Sequence, residues 1–298
     1  MRGCPGPDDS EGTRHSADGR CVWARVSQER IDRDAIGSNT GWNETATQVA
    51  VGAETRLANG LIDSAAFAYE DASFDDDGMG SGSAERFLLG LGLGRDLGAD
   101  RVMAGLSGGI SNATTRRGVM TPDGTRTAKG SHDTRFVALS LHGLRQFDYG
   151  ARSRFSNAYL RTASEATLIH QWQDSYTESG ASAYSARIDS VANTYLTMNP
   201  YLELGGERLV QATAIRPYLR AGALGIIGNT EDLGAGLSGA VDGGPTFAIS
   251  EDMPCVFADL GLGLGIESRN LLFRLSGTAL SADDQRSLAA AAELAVRF

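Results

Sequence analysis

From Val22 to its last residue the chain alternates apolar with polar or small residues, the period-two pattern of strands with two unlike faces. At the end of the chain, Leu288, Ala290, Ala292, Leu294, Val296 and Phe298 share one face. Ser287, Ala289, Ala291, Glu293, Ala295 and Arg297 share the other. The same device places Phe87, Leu89, Leu91 and Leu93 opposite Leu88, Gly90, Gly92 and Gly94. It recurs as Val256, Ala258, Leu260, Leu262, Leu264 and Ile266 opposite Phe257, Asp259, Gly261, Gly263 and Gly265. Tyr195, Thr197, Asn199, Tyr201 and Glu203 oppose Leu196, Met198, Leu202 and Leu204, and Arg216 and Arg220 oppose Leu219, Ala221, Ala223 and Ile227.

The pattern predicts strands over 22–31, 44–57, 61–74, 84–97, 101–113, 132–147, 150–176, 186–206, 213–227, 254–268, 270–281 and 286–298. Tight joins are expected at Ala58-Asn59-Gly60, Gly98-Ala99-Asp100, Phe147-Asp148-Tyr149 and Ser268-Arg269-Asn270, Asn-Gly being a strong hairpin signal. The intervening joins read as long and polar: Asp32–Asn43, Asp75–Gly82, Thr114–Ser131, Thr177–Tyr184 and Asn229–Met253.

Short turns alternating with long loops are the mark of an up-and-down outer-membrane barrel. An antiparallel sheet on a soluble core alternates identically. Twelve strands with no helix and no second face to pack against disfavour that reading. The fold class expected over 22–298 is therefore an all-β, twelve-stranded antiparallel up-and-down transmembrane β-barrel, with outer-membrane lipid against one face. A charge at mid-bilayer costs ~2–4 kcal/mol in such a barrel, so the polar face must be the lumen. Arg86, Tyr195, Glu203, Arg216, Arg220 and Asp259 are the candidate lumen-facing polar residues. A strand pattern running to the final residue is unusual, because termini fray. It is accounted for if Leu294, Val296 and Phe298 face lipid and Phe298 joins the aromatic girdle at the interface.

Composition narrows the function. No apolar run approaches the ~20 residues of a helical span, which leaves a barrel untouched. Apolar content of 41% with 38 Gly and only 7 Pro fits many strands with small residues in a crowded lumen, and a net charge of −10 argues against nucleic acid as a partner. Cys4 and Cys21 flank a Gly/Pro/Asp/Ser-rich segment with no zinc-ligand spacing, so residues 1–21 read as a flexible leader closed by a disulfide in an oxidising compartment. Cys255 is then an unpaired thiol at a strand start. Met1 begins no apolar export signal, so the expectation is a fragment or a misplaced start.

Trp23-Ala24-Arg25 in the first strand, Tyr176-Thr177-Glu178-Ser179-Gly180 after the seventh, Gly205 ending the eighth, Ile215-Arg216-Pro217-Tyr218 opening the ninth and the terminal Arg297-Phe298 carry a resemblance. Over about 21–298 the chain resembles the C-terminal β-barrel translocator of autotransporters, the type V secretion proteins of Gram-negative bacteria. The resemblance implies a bacterial outer-membrane translocator and anchor that exports an N-terminal passenger to the cell surface. It also implies a lumen occupied by a segment leading from the passenger, and barrel-assembly machinery that recognises the terminal Leu294, Val296 and Phe298. Val296 stands where the family usually has an aromatic. The leader carries Gly3, Pro5, Gly6, Pro7, Gly12 and Gly19 instead of a helical pattern. The alternative is a stand-alone channel or adhesin barrel without a passenger.

Enzyme readings fail on the residues. His15, His132, His142 and His170 are scattered, with no metal-ligand neighbour at useful spacing. His132-Asp133 invites a rim-protease reading, but adjacent strand residues point to opposite faces. Asp75-Asp76-Asp77-Gly78 lacks the Gly and Glu positions of a calcium loop and reads as a solvated tip. The Gly-x-Gly runs at 90–94 and 261–265 lie inside strands, where they cannot cradle a dinucleotide. No catalytic residue, cofactor or metal site is expected.

Overall fold

A computed structural model describes residues 20–35, 40–78, 80–152, 155–229, 233–239, 246–249 and 255–298. The leader through residue 19, with Cys4 and His15, lies outside them. The strands are β1 (Arg20–Arg33), β2 (Trp42–Arg56), β3 (Leu61–Asp76), β4 (Gly80–Leu97), β5 (Asp100–Thr121), β6 (Gly124–Arg152), β7 (Phe155–Gln173) and β8 (Tyr176–Thr177). After these come β9 (Ala186–Ile188), β10 (Val191–Val210), β11 (Thr213–Asn229), β12 (Leu233–Leu237), β13 (Thr246–Ile249), β14 (Val256–Ser268), β15 (Leu271–Ser281) and β16 (Gln285–Arg297).

Twelve of them close a barrel in the order β1-β16-β15-β14-β11-β10-β7-β6-β5-β4-β3-β2, each antiparallel to its neighbours in sequence. The seam runs from Cys21 opposite Arg297 to Arg33 opposite Gln285, and the Phe298 amide donates to the Arg20 carbonyl at 3.2 Å. Both ends of the barrel therefore lie at the rim that carries the short turns. At one of these turns Gly60 takes φ +81°, a conformation closed to most side chains, while the Asn59 carboxamide oxygen accepts the Leu61 amide at 3.1 Å.

At the opposite rim the structure departs from the expected loops. β3 and β4 run on to Asp76 and from Gly80, and β5 and β6 form one tall hairpin in place of a loop over Thr114–Ser131. At the short-turn rim, the turn expected at Phe147-Asp148-Tyr149 is strand, and β6 ends only at Arg152. Gly205 lies inside β10 and does not end it. The strands expected over 150–176 and 186–206 also stop short or start late in the barrel. Tyr176–Thr177 and Ala186–Ile188 belong to a separate four-stranded sheet, ordered β13-β12-β9-β8. Its other strands come from the join expected at Asn229–Met253. This small cap, with a 3-10 turn at Ser182–Tyr184, has its own core of Ala186, Ile188 and Ala235 against Tyr176.

Radially, the barrel inverts a soluble protein. Leu89, Leu91, Leu93, Leu139, Leu141, Leu202, Leu204, Leu260, Leu262, Leu288 and Phe298 are exposed on the outside, whereas Arg101, Arg161, Glu203, Glu207, Asp259, Glu267, Glu293 and Arg297 are buried. Glycines make room for aromatic rings inside. A Cβ on Gly205 would lie 2.3 Å from the Tyr159 ring, on Gly263 2.4 Å from Tyr218 and on Gly52 2.5 Å from Trp23. Each ring occupies the space over the glycine paired with it on the neighbouring strand, which favours one register as well as filling space.

This contrast gives a test. Gly205→Ala should destabilise the barrel by about 1–3 kcal/mol, because the methyl has no room. Gly265→Ala, whose Cβ would meet its nearest atom at 3.7 Å, should be close to neutral. The folded, heat-modifiable fraction on unboiled gels measures both.

Candidate functional site

The lumen is built by the inward parity of each strand. Near the short-turn rim Glu267 joins two arginines: Arg297 donates to it at 2.5 Å and Arg216 pairs with it from the other side. Arg216 also reaches Glu207 at 2.9 Å, so four charges from β10, β11, β14 and β16 form one chain. Arg161 donates to Glu203 at 2.7 Å and to Gln146 at 2.6 Å, and the Tyr159 hydroxyl donates to Glu203 at 3.1 Å. Asp96 takes Arg101 at 2.5 Å and also Arg56.

Higher in the barrel, Arg86 bridges Glu44 at 2.9 Å and Glu70 at 2.6 Å. Arg220 donates to the fully buried Asp259 at 3.2 Å, and Asn199 donates to its second oxygen at 3.0 Å. A cavity of about 540 Å³ remains between these groups, lined among others by Arg25, Arg101, Arg161, Arg216, Arg220 and Arg274. Its acidic lining is Glu165, Glu203 and Glu293. Arginine is suited to this task because its planar fork holds two carboxylates at once and stays charged.

Of the residues singled out from sequence, Glu203, Arg216 and Arg220 line this cavity, Arg86 and Asp259 pair as described, and the Tyr195 hydroxyl points to Gln171 at 3.4 Å. Sequence reasoning missed Arg161, Glu207, Glu267 and Arg297 as network members. Their parity was visible, but register decides partners: Glu203 lies opposite Arg161 and Arg220 opposite Glu203 only once β7, β10 and β11 are aligned. Leu294, Val296 and Phe298 are exposed on the outer face. Cys21 is disulfide-bonded and Cys255 is free and exposed. Asp76 closes its own tip, accepting the Gly78 and Gly80 amides at 2.8 Å. Among the described residues, no group of three or more His, Cys, Asp or Glu is placed to hold a metal ion.

Above the lumen, the inward-parity face of the β5–β6 hairpin meets the cap. Arg117 makes a two-pronged pair with the buried Glu178, at 2.8 and 2.6 Å, and donates to the Tyr184 carbonyl at 3.2 Å. Glu178 also accepts the Ala186 amide at 2.7 Å. The bond to Glu178 raises the Arg117 pKa and keeps it charged. His132 stacks on Tyr176 with ring centroids 4.7 Å apart, and Asp133 is exposed on the other face. Burial raises the Tyr176 phenol and lowers the His132 imidazole, favouring the neutral form of each.

The "Autotransporter beta-domain" family model matches residues 22–278. The fold is similar to the translocator domain of the autotransporter NalP from Neisseria meningitidis, at 15% identity and TM-score 0.75, covering 94% of this chain and 88% of that one. It is similar to the β domain of the Bordetella autotransporter BrkA, at 17% identity and TM-score 0.69, covering 94% and 99%. An outer membrane channel from Pseudomonas putida matches at 10% identity and TM-score 0.50, covering 97% and 99%. No curated protein sequence matches.

Two measurements follow from this geometry. Glu267→Gln leaves the buried Arg297 and the half-buried Arg216 without their shared carboxylate and should destabilise by about 3 kcal/mol in chemical unfolding followed by tryptophan fluorescence. Arg30→Ala, which breaks an exposed pair with Asp32, should leave the unfolding midpoint unchanged. Acid should loosen the cap. With its pKa lowered in the docked state, neutral His132 contributes docking stability that is fully present above its undocked value of about 6.5 and is lost as pH falls below it. Amide protection over 176–189, taken against the intrinsic exchange rate at each pH, should therefore be weaker at pH 5 than at pH 7.5, and His132→Phe should flatten that dependence.

Proposed function

The chain belongs to the autotransporter β-domain family, a barrel of the bacterial outer membrane, and on that premise we propose that it is the translocator and anchor through which an upstream passenger reaches the cell surface. The observation that carries the reading is the placement of its ends. β1 starts and β16 finishes at the short-turn rim, which in such barrels faces the periplasm. A segment upstream of Arg20 that is to reach the outside therefore has the lumen as its path.

The action is mechanical. Arg86, Tyr195, Glu203, Arg216, Arg220 and Asp259, with the arginines around the cavity, would hydrate and hold that segment in place of water. The leader before Arg20 has the complementary composition, Asp8, Asp9, Glu11 and Asp18 against Arg2 and Arg14. The outward apolar band would meet lipid, and the exposed Leu294, Val296 and Phe298 would offer the chain end to the barrel-assembly machinery. A barrel without a passenger is the second reading, favoured by the fold shared with an outer membrane channel.

The test joins an export signal and a folded-epitope reporter upstream of Met1 and follows the reporter on intact cells. The translocator reading expects surface reporter carried by a heat-modifiable barrel, and deletion of Phe298 should remove most of both. A barrel that inserts normally while the reporter stays in the periplasm would establish the channel reading instead.

A further inference from the structure

The residues of the β5–β6 hairpin that contact the cap, Thr115, Arg117, Ala128, Gly130 and His132, have the parity that faces the lumen lower on the same strands. Ile110, Val137 and Leu139, of the opposite parity, are exposed on the outer surface. The cap therefore packs on the axial side of the hairpin, above the mouth, and not around the outside of the barrel. The joint is close: Ala128 and Ala181 are fully buried, and a Cβ on Gly130 would stand 2.6 Å from the Tyr176 ring. Lys129 and Ser179 exchange two backbone hydrogen bonds at 2.8 and 2.9 Å, and Arg126 donates to the Ser182 hydroxyl at 3.0 Å.

The attachment differs in kind from the rest of the barrel. The cap's strands pair with one another in a sheet separate from the barrel's, and Lys129–Ser179 is an isolated bridge between the two. Breaking that bridge and the Arg117–Glu178 pair would free this face of the cap without opening a strand pair of the barrel wall. His132 buries its Nδ1 there with no hydrogen-bond partner, so the joint is not fully satisfied.

We propose that the cap is a lid on the extracellular mouth, held shut by the Arg117–Glu178 latch, and that releasing the latch opens access to the lumen. A buried carboxylate that loses its guanidinium is the strongest single reason for the lid to leave its seat. The proposal does not depend on whether a passenger is carried.

Access is read at Ser111, which lies on the inward face one row below Ala113 and His132, introduced as Ser111→Cys with the exposed Cys255 removed as Cys255→Ser. Intact cells are treated with a polymer-linked, membrane-impermeant maleimide. Glu178→Gln or Arg117→Ala should raise the labelling rate about tenfold or more, the effect of losing roughly one charged hydrogen bond. Lys129→Cys with Ser179→Cys forms a lock across the bridge, since facing Cα atoms about 5.5 Å apart are within disulfide reach. Added to Glu178→Gln and oxidised, the lock should return labelling to the slow rate, and reduction should release it, the label on Ser111→Cys being read by peptide mass mapping so that the lock's own thiols and Cys21 do not count. Equal rates in latched, unlatched and locked barrels that remain heat-modifiable overturn the lid, as does an increase that the lock fails to reverse. If Arg117→Ala fails to insert, Glu178→Gln with and without the lock decides alone.

Discussion

A strand in hydrocarbon has no water to satisfy its amides and carbonyls, and each group left unpaired costs several kcal/mol. Closure of β1 on β16 is the answer here, and most other features follow from it. With no free edge in the wall, side chains alone meet the two surroundings. Leucine, valine and phenylalanine then belong outside, and what is usually a hydrophobic core becomes an interior of arginine, glutamate, aspartate, alanine and glycine.

That interior has to be stable without being greasy. Lumen charges are tolerated because they come in chains, Arg297–Glu267–Arg216–Glu207 and Glu44–Arg86–Glu70, in which Glu267 serves two arginines and Arg216 and Arg86 each serve two carboxylates. Removing one member strands the others, so such a network favours one register over its neighbours. Tyr159 over Gly205 and Tyr218 over Gly263 act in the same direction by shape. The lumen is thus held to a defined form while keeping a polar surface.

The strands within the membrane were legible because lipid on one side and a polar lumen on the other impose opposite demands on alternate residues. Leu89 against Gly90 and Leu262 against Gly263 state this directly. Above the membrane that contrast disappears. Thr114–Thr121 and Thr125–Ser131 meet water on one face and the small cap on the other, with no lipid to demand apolar alternation, so their sequence reads as loop although they pair as a ladder. Tyr176–Thr177 and Ala186–Ile188 carry a strand-like composition, and nothing local distinguishes a barrel strand from a separate small sheet. The ion pairs were hidden for another reason. Arg161 and Glu203 are far apart in the chain, and their meeting depends on a register that composition does not encode.

The tall hairpin has a consequence for the order in which the molecule is assembled. Past the barrel wall β5 and β6 are a two-stranded ribbon, and such ribbons are marginal in water. The cap's core is equally slight, three small or medium side chains and a tyrosine. Each completes the other, through segments from three parts of the chain: 115–132, 176–189 and 233–239. They should behave as one cooperative foldon that forms last, after the wall has brought its strand ends together, and opens first in native-state exchange. Since its contacts are absent while the wall is still closing, substitutions there should alter how fast the folded protein opens locally and leave the rate of insertion unchanged.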